Sequence, residues 1–424
     1  MEDLRKNNFT VPLIFLLAVS LSVKAFLVFS TDLRRVEPFE YEEAARSLAD
    51  GEGLKNLYLG VPYFALVHPV YPGLCALLYR MGGDHRVVLL IQSLCATVLG
   101  YLIYLLGRRL FSPLVGFLSA LLVVFHPGIW VYTLSKLHSL VFDAAWFTSV
   151  LLLLMSLGDS ISVPKATATG VFSGLACLAR STIGLFILFG AGWVFWRRRR
   201  NAAPGHLTFC ILCLLLSAWL VVIPYLMRNQ ECLGHRTGIV STYGLNLWLG
   251  NNPVASGSAY TAKGQMILET MPKEISRQLP ALTEWEQNDL LKREAYRFMK
   301  ENPAKTVGLF WKKWLSFWWR SPQTGVLYPR KWARVYASYY LVLLIPAAAT
   351  MVGALLSAKG RIKSEIILTL SLFLTVSLTQ SLFFVEGRHR WVIEPVLLIF
   401  SAQGIHLVWR YARNRCAGFA GKLV

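Results

Sequence analysis

Residues 182–200 read TIGLFILFGAGWVFWRRRR, an apolar run that leads directly into four consecutive arginines. The core of a lipid bilayer is about 30 Å thick, and a helix crosses it with about 20 mostly apolar residues. Arginine and lysine gather where membrane helices meet the cytoplasm. The stretch therefore predicts a membrane helix over residues 182–196 that ends at the cytoplasmic surface.

Similar apolar runs recur along the whole chain. The sequence is 55% hydrophobic and 16% charged, whereas soluble domains are about 45–50% apolar and about 25% charged. These values predict an all-α polytopic integral membrane protein with about ten transmembrane helices. The predicted helices cover residues 10–30, 87–107, 113–133, 137–157, 166–179, 182–196, 207–226, 338–358, 365–385 and 391–409. The fifth and sixth are short, and a single kinked or re-entrant unit is the alternative.

Basic residues near the helix ends set the predicted orientation. If the N-terminus is cytoplasmic, every short cytoplasmic segment is basic, as the positive-inside rule requires. These segments contain Arg5 with Lys6, Arg108 with Arg109, Lys165, and residues 197–200, 359–363 and 410–415. We therefore predict a multi-pass membrane protein with both termini in the cytoplasm. The first helix lacks an A-x-A cleavage site, which favours an uncleaved span over a signal peptide.

This orientation divides the chain into four predicted regions. They are a membrane module at 10–226 that includes a first outer loop at 31–86, an outer segment at 227–337, C-terminal membrane helices at 338–409 and a basic tail at 410–424. In the outer segment, residues 283–320 predict an amphipathic helix that ends near the ENP at 301–303. A tryptophan-rich helix in the membrane interface follows it.

The net charge of +20 does not indicate nucleic-acid binding, because no compact basic domain or recognition motif accompanies it. Most of the seven cysteines lie in apolar runs and act there as small hydrophobic residues. The Cys210–Cys213 pair has CxxC spacing but no polar surroundings, so lipid or core packing is favoured over a metal or redox site.

Ionisable residues lie near the predicted outer ends of several membrane helices, where charge is costly and usually functional. They are His68, Asp143, Arg180, Arg228, Arg388, His389, Arg390 and Glu394. Guanidinium groups bind phosphate oxygens in pairs, and a carboxylate accepts a proton from a hydroxyl group. This layer indicates an enzyme that acts on a phosphate-bearing lipid. Structural alternatives are arginines that anchor helix ends, hydrogen-bonding histidines, and an Asp143 ion pair with Lys136 or Arg180.

Five stretches resemble the bacterial polyprenyl-phosphate-sugar-dependent glycosyltransferases of the GT-C fold, family 39-type. Protein O-mannosyltransferases and lipid A aminoarabinose transferases are related to them. The stretches are EPFEYEEAARSLADGEGL at 37–54, HPVYPGLCALLYRM at 68–81, GVFSGLACLARSTIGLFIL at 170–188, PYLMRNQECLGHRTGIVSTYGLNLWLGNNPVASG at 224–257 and FFVEGRHRWVIEPVLLIF at 383–400. The NLWLGNNP within the fourth stretch is the most specific of these motifs.

The resemblance implies an inverting glycosyltransferase with a sugar donor on polyprenyl phosphate at the outer face and a hydroxyl acceptor in the cell envelope. It implies a catalytic base at Glu37, with Glu40 as the rival and Asp143 as a second candidate acid. The implied donor-phosphate ligands are Arg180, Arg228, Arg388, Arg390 and His389. The implied substrate-binding residues are Tyr41, His68, Tyr71, Asn246, Trp248 and Asn251, although the Asn-Asn-Pro motif is equally compatible with a turn.

Two departures from the family pattern stand out. Glu37 replaces the usual aspartate, and the chain reads LSKLHSLVFD at 134–143 where relatives often carry Thr-Glu or Ser-Glu. No cofactor is predicted, and a divalent cation stays an open question because no tight ligand spacing exists. The alternatives are a lipid-linked sugar transporter, which would place polar residues at mid-depth, and a degenerate relative that binds polyprenyl phosphate without transfer.

Overall fold

Long apolar helices form most of this computed structural model, which describes residues 9–30, 32–319 and 330–420. The N-terminal helices are α1 (Thr10–Ser30), α2 (Glu40–Ala49), α3 (Val70–Arg80), α4 (His85–Leu110), α5 (Pro113–Val124), α6 (Pro127–Ser135), α7 (Leu140–Asp159), α8 (Val163–Ala179), α9 (Ile183–Arg198) and α10 (Pro204–Leu233). The remaining helices are α11 (Tyr243–Gly250), α12 (Lys273–Ser276), α13 (Glu284–Glu301), α14 (Pro303–Trp318), α15 (Arg330–Ser357), α16 (Gly360–Leu382) and α17 (Glu394–Ala420). Arg5, Lys6 and the last four residues of the predicted basic tail lie outside the described residues.

Six helices of the described chain are long and apolar enough to cross a membrane, so the protein is a multi-pass membrane protein. The bent pair α5 and α6, with 48° between its helices, makes a seventh span if counted as one. The predicted runs at 166–179, 182–196 and 391–409 also form helices, α8, α9 and α17. Helices α8 and α9 have 17 and 16 residues and are too short for this criterion, and α17 does not satisfy it either. The count by length and composition is therefore six or seven rather than ten.

The break between α5 and α6 follows from its sequence, FHP at 125–127. Pro127 starts α6 because proline fits the first turn of a helix but not its interior. The side chain of His126 accepts the Ile129 backbone N–H and caps the new helix. The break redirects the chain so that α6 ends at Ser135, directly before Lys136 of the candidate site.

Helices α8 and α10 pack closely because α8 carries the small-residue motif GVFSG at 170–174. A Cβ atom at Gly170 would lie 2.2 Å from the Leu214 carbonyl oxygen, and one at Gly174 would lie 2.5 Å from that of Ala218. Such approach of helix backbones is typical of glycine pairs in membrane helices. The packing fixes the end of α8, where Arg180 follows.

The structure also contains two small sheets of two strands each. Strands β2 (Asn56–Tyr58) and β3 (Val61–Tyr63) make an antiparallel hairpin. Strand β1 (Glu37–Pro38) pairs in parallel with β4 (Lys136–Leu137), and Glu37 lies opposite Lys136. This second pairing joins the first outer loop to the segment between α6 and α7.

Helices α13 and α14 confirm the two helices predicted in the outer segment. Thr283 caps α13 reciprocally with Glu286, as expected for a T-x-x-E sequence. The buried Glu284 carboxylate accepts the backbone N–H of Ala65 at 3.0 Å and that of Phe64 at 2.6 Å. The loop that follows α1 and the segment that contains α13 therefore pack against each other.

Candidate active site

The β1–β4 pairing brings Glu37 and Lys136 into direct contact as an ion pair. The Lys136 side chain is 5% exposed, whereas that of Glu37 is 37% exposed. Burial, and then the nearby Arg388 guanidinium, lower the pKa of Lys136 to about 8. This lysine was missed as a functional residue, although its place in LSKLHSLVFD marks the departure from the family pattern.

A buried glutamine on α4 holds this segment in place. The Nε2 of Gln92 donates to the Lys136 carbonyl oxygen at 2.9 Å and to that of Thr133 at 3.2 Å. Its Oε1 accepts the His138 backbone N–H at 3.2 Å and the Tyr71 hydroxyl. Tyr71 is buried here, so its placement favours positioning of the site over substrate contact.

Aromatic side chains surround His138, which lies between β4 and α7. Its ring meets Phe39, Tyr41 and Tyr132 at centroid distances of 5.0, 5.1 and 5.3 Å. Burial, and then the Arg388 and Arg180 guanidiniums, lower the pKa of His138 well below its ordinary value. The imidazole is therefore neutral and part of an aromatic wall. Tyr41, a predicted substrate-binding residue, belongs to that wall.

Asp143 lies in the first turn of α7 and forms an ion pair with Arg180, with 2.9 Å between Oδ2 and Nη1. Ser139 donates to the same oxygen at 3.0 Å. Asp143 is buried whereas Arg180 is partly exposed. The structural alternative from the sequence, an ion pair between Asp143 and Arg180, is therefore present.

His68 accepts a hydrogen bond from the residue that follows Arg180. The Ser181 backbone N–H donates to His68 Nε2 at 3.0 Å. Burial, and then the Arg180 guanidinium, lower the pKa of His68 to about 3, so the ring is neutral. This placement favours a role in fixing Arg180.

Arg388 lies in the 3₁₀ turn Gly387–Val392, over the ring of Phe39 with 5.6 Å from its guanidinium carbon to the ring centroid. Its Nε contacts Glu386 at 2.9 Å, and its Nη1 donates to the Tyr132 hydroxyl at 3.5 Å. Glu40 is exposed at the start of α2, and its charge acts on Arg388. Three cations, Lys136, Arg180 and Arg388, thus surround the aromatic wall, with Glu37 and Glu40 at its edge.

Arg390 points away from this site into the helix bundle. Its Nε contacts Glu394 at 3.1 Å, and its Nη2 donates to the Tyr336 hydroxyl at 2.7 Å. Glu394 also accepts from His126 Nε2 at 3.0 Å. This buried network connects α6, α15 and α17, so the geometry favours Arg388 over Arg390 as a phosphate ligand. His389 caps the same turn through its Nδ1, which accepts the Glu386 N–H.

Arg228 is similarly occupied by backbone groups. Its Nη1 donates to the Phe64 carbonyl oxygen at 2.5 Å, and its Nη2 lies 3.5 Å from that of Leu54. The side chain joins α10 to the first outer loop. Its hydrogen bonds favour this structural role over binding of phosphate.

The NLWLGNNP motif ends helix α11. The Asn251 amide donates to the Leu247 and Leu382 carbonyl oxygens at 2.8 and 3.0 Å. Trp248 is buried in the core of the outer segment, and the half-buried Asn246 donates to Thr242 Oγ1 at 3.3 Å. These contacts favour the turn, the alternative left open by the sequence.

No three His, Cys, Asp or Glu side chains within residues 9–30, 32–319 and 330–420 gather as a metal site requires. No residue is therefore assigned to the divalent cation considered from the sequence.

Comparisons with known proteins agree with the motifs. Residues 67–226 match the family model described as dolichyl-phosphate-mannose-protein mannosyltransferase. No curated protein sequence matches the chain.

Solved structures align with the chain at low sequence identity. The oligosaccharyltransferase AglB from Archaeoglobus fulgidus, in complex with an inhibitory peptide and a dolichol-phosphate, aligns with 97% of this chain and 52% of its own, with 13% identity and a TM-score of 0.55. Its apo form aligns with 95% of this chain and 51% of its own, with 10% identity and a TM-score of 0.51. ArnT from Cupriavidus metallidurans, bound to undecaprenyl phosphate, aligns with 94% of this chain and 78% of its own, with 17% identity and a TM-score of 0.38.

The chain spans about half the length of the archaeal enzyme. A TM-score of 0.38 does not establish a common fold, so the fold assignment rests on AglB. The predicted resemblance is confirmed: residues 67–226 match the dolichyl-phosphate-mannose-protein mannosyltransferase family, and the chain has the membrane fold of an archaeal GT-C oligosaccharyltransferase.

Proposed function

We propose that this protein is an inverting glycosyltransferase that moves a sugar from a polyprenyl-phosphate donor to a hydroxyl acceptor. The observation that carries the proposal is the Glu37–Lys136 ion pair at the aromatic wall. Arg388 lies close enough to act on Lys136, and both Arg388 and Arg180 act on His138 in that wall. The family description names a dolichyl-phosphate sugar, and an AglB structure contains a dolichol-phosphate.

In the proposed reaction, Glu37 takes the proton of the acceptor hydroxyl while that oxygen attacks the anomeric carbon. The bond from this carbon to the phosphate oxygen breaks, and its electron pair remains on the phosphate. Attack from the face opposite the leaving group inverts the configuration. Lys136 holds the Glu37 carboxylate in place, and small misplacements of a reacting group are costly in rate.

The leaving phosphate gains negative charge as the bond breaks. Arg388 and Arg180 are already held by Glu386 and Asp143, so they need little rearrangement to stabilise that charge. Preorganised donors of this kind commonly contribute 10²–10³-fold to the rate. The aromatic wall of Phe39, Tyr41 and Tyr132 would lie beside the sugar.

We propose that the site lies at the outer face of a bacterial cytoplasmic membrane, with both termini in the cytoplasm. The distribution of arginine and lysine supports this orientation. Asp143 and Asp159 lie at opposite ends of α7, roughly 24 Å apart at 1.5 Å per residue. The Asp159 end is surrounded by arginines.

The test is a transfer assay with the purified chain in lipid nanodiscs and a radiolabelled sugar on polyprenyl phosphate. Glu37→Gln removes the base and should lower turnover by about 10²–10⁴-fold, the usual contribution of general base catalysis. Glu52→Gln is the matched control, because Glu52 lies in the same outer loop and contacts only Lys55 through its side chain among the described residues.

If Glu37→Gln keeps full turnover and Glu40→Gln loses it, the catalytic base is Glu40 rather than Glu37. Movement of the labelled lipid between leaflets without transfer would favour the transporter. If the protein binds the donor but neither transfers the sugar to any envelope acceptor tested nor moves the lipid between leaflets, it is a degenerate relative that only binds polyprenyl phosphate.

A further inference from the structure

A groove of about 620 Å³ lies between α9 and α16. Helix α9 lines it with Leu185, Leu188, Phe189, Gly192 and Trp196. These positions recur at intervals of three or four residues and form one stripe along the helix. The stripe is roughly 17 Å long at 1.5 Å per residue, and it runs from below Arg180 towards the opposite membrane face.

The second wall and the floor of the groove are also apolar. Ile367, Leu368 and Ser371 of α16 form the wall, and Trp193 packs between the helices. The Nε1 of Trp193 donates to the Ser364 carbonyl oxygen at 2.8 Å, which ties the two helices together. One leaflet of a bilayer core is about 15 Å thick, so the groove matches the length of one lipid chain.

A basic residue lies just beyond one end of the groove on each of the two helices. Arg199 follows Trp196 by three residues, and Lys363 precedes Ile367 by four. Both are exposed, and neither side chain has a hydrogen bond or ion pair to any other residue that the structure describes. The neighbouring Arg109, Arg197 and Arg361 share two carboxylates, those of Asp159 and Glu365. This end of the groove therefore has an excess of positive charge.

We propose that the groove binds an anionic phospholipid, with one acyl chain along α9 and the phosphate between Arg199 and Lys363. Basic pockets between membrane helices attract anionic headgroups, and each Lys or Arg near the surface contributes about five-fold in affinity. The donor lipid fits less well, because its phosphate would lie at Arg388 and Arg180 and leave this basic end without an anion.

The test titrates the purified full-length chain in a neutral detergent with phosphatidylglycerol or phosphatidylcholine of identical acyl chains. Native mass spectrometry counts the bound lipid, and a thermal shift reports its effect. Phosphatidylglycerol should bind more tightly, and added salt should weaken its binding. Arg199→Gln with Lys363→Gln should reduce its affinity about 25-fold, or five-fold for each charge.

Gly192→Leu tests the groove itself. A Cβ atom at Gly192 meets nothing within 4 Å, so the new side chain would enter the groove without disturbing the helix. Binding of phosphatidylglycerol should fall, while Gly353→Leu, an equally open glycine on the exposed face of α15, should leave it unchanged.

Equal affinity for the two phospholipids would overturn recognition of the anion. Unchanged binding in Gly192→Leu would overturn the groove as the site, and displacement of the phospholipid by polyprenyl phosphate would assign the groove to the donor. None of these measurements requires sugar transfer, so their failure is distinct from failure of the proposed function.

Discussion

Two arginines close together in the sequence have different roles in this protein. Arg388 and Arg390 are two positions apart, but one contacts Tyr132 and Phe39 at the candidate site while the other is buried against Glu394 and Tyr336. The turn between them sends alternate side chains to opposite sides. Neither the residue type nor its spacing distinguishes these roles in the sequence.

Substitution of the two arginines should separate activity from stability. Arg388→Gln should lower transfer by about 10²–10³-fold. It should cost less stability than the change at Arg390, because Arg388 is partly exposed and its partner Glu386 keeps the His389 backbone N–H. Arg390→Gln should cost about 3–5 kcal/mol, because it leaves the buried Glu394 without its charged partner. Transfer rates and thermal melting in detergent measure both effects. Equal loss of stability in both variants would contradict the assignment.

Lys136 should give the transfer reaction an alkaline limit. Its pKa is lowered to about 8, so above that pH it loses the charge that holds Glu37, and the rate should fall. Lys136→Arg keeps its charge above pH 10, and its rate should not fall near pH 8. A shared decline in both proteins would assign the limit to another group.

Deprotonation of Lys136 does not destabilise the fold, so unfolding caused by this group would not explain the decline in the transfer rate. The ordinary pKa of the lysine is 10.5, so between about pH 8 and 10.5 the unfolded chain binds this proton and the folded chain does not. Stability linked to this group therefore rises with pH over that range. A thermal melt at each pH distinguishes a loss of activity from a loss of folded protein.

At the scale of elements, the close packing of α8 on α10 places Arg180. The two backbones approach each other at Gly170 and Gly174, where any larger side chain meets carbonyl oxygens. The small-residue spacing is visible in the sequence, but the partner helix is not. The structure supplies that partner and shows that Arg180 lies at the end of a tightly fixed helix.

Gly170→Ala should therefore lower the melting temperature. Its Cβ atom would lie 2.0 Å from Ser217 Oγ and 2.2 Å from the Leu214 carbonyl oxygen, so the helices must separate. Overpacking of this kind costs about 1–3 kcal/mol. Gly353→Ala, in open space, should instead stabilise the protein by about 0.4–1 kcal/mol. A neutral result at Gly170 would show that the helices separate easily.

At the scale of the whole molecule, the outer segments form a unit held by buried polar contacts. Glu284 accepts from Phe64, Ala65 and Ser241, and Arg228 donates to Phe64. The first outer loop therefore depends on α13 and α10, which lie far along the chain. This unit is attached to the bundle near the candidate site through β1.

Glu284→Ala should loosen the loop at residues 56–65 without unfolding the membrane helices. Two backbone N–H groups would lose their acceptor, at about 1–3 kcal/mol for each buried group left unsatisfied. Hydrogen exchange should accelerate at Phe64 and Ala65. Glu294→Ala, on the same helix with an ion pair to the exposed Arg297, is the control. Unchanged hydrogen exchange at Phe64 and Ala65 in Glu284→Ala would contradict this role of Glu284.

Much of this architecture could be predicted from composition and periodicity. Long apolar runs and basic helix ends are local signals, and they predicted the membrane helices and the outer segments. Lys136, His138 and Gln92 could not be identified as site residues in this way. Strands of two residues have no measurable periodicity, and the pairing that joins Glu37 to Lys136 connects distant parts of the sequence.

That pairing also has a consequence for biogenesis. Glu37 leaves the ribosome about a hundred residues ahead of Lys136, which corresponds to roughly 5–20 s at ordinary rates of synthesis. Throughout this interval the glutamate has no charged partner from β4. Pairing of Glu37 with Lys136 must therefore wait until α6 has passed through the insertion machinery, and the site is complete only when Arg388 has followed.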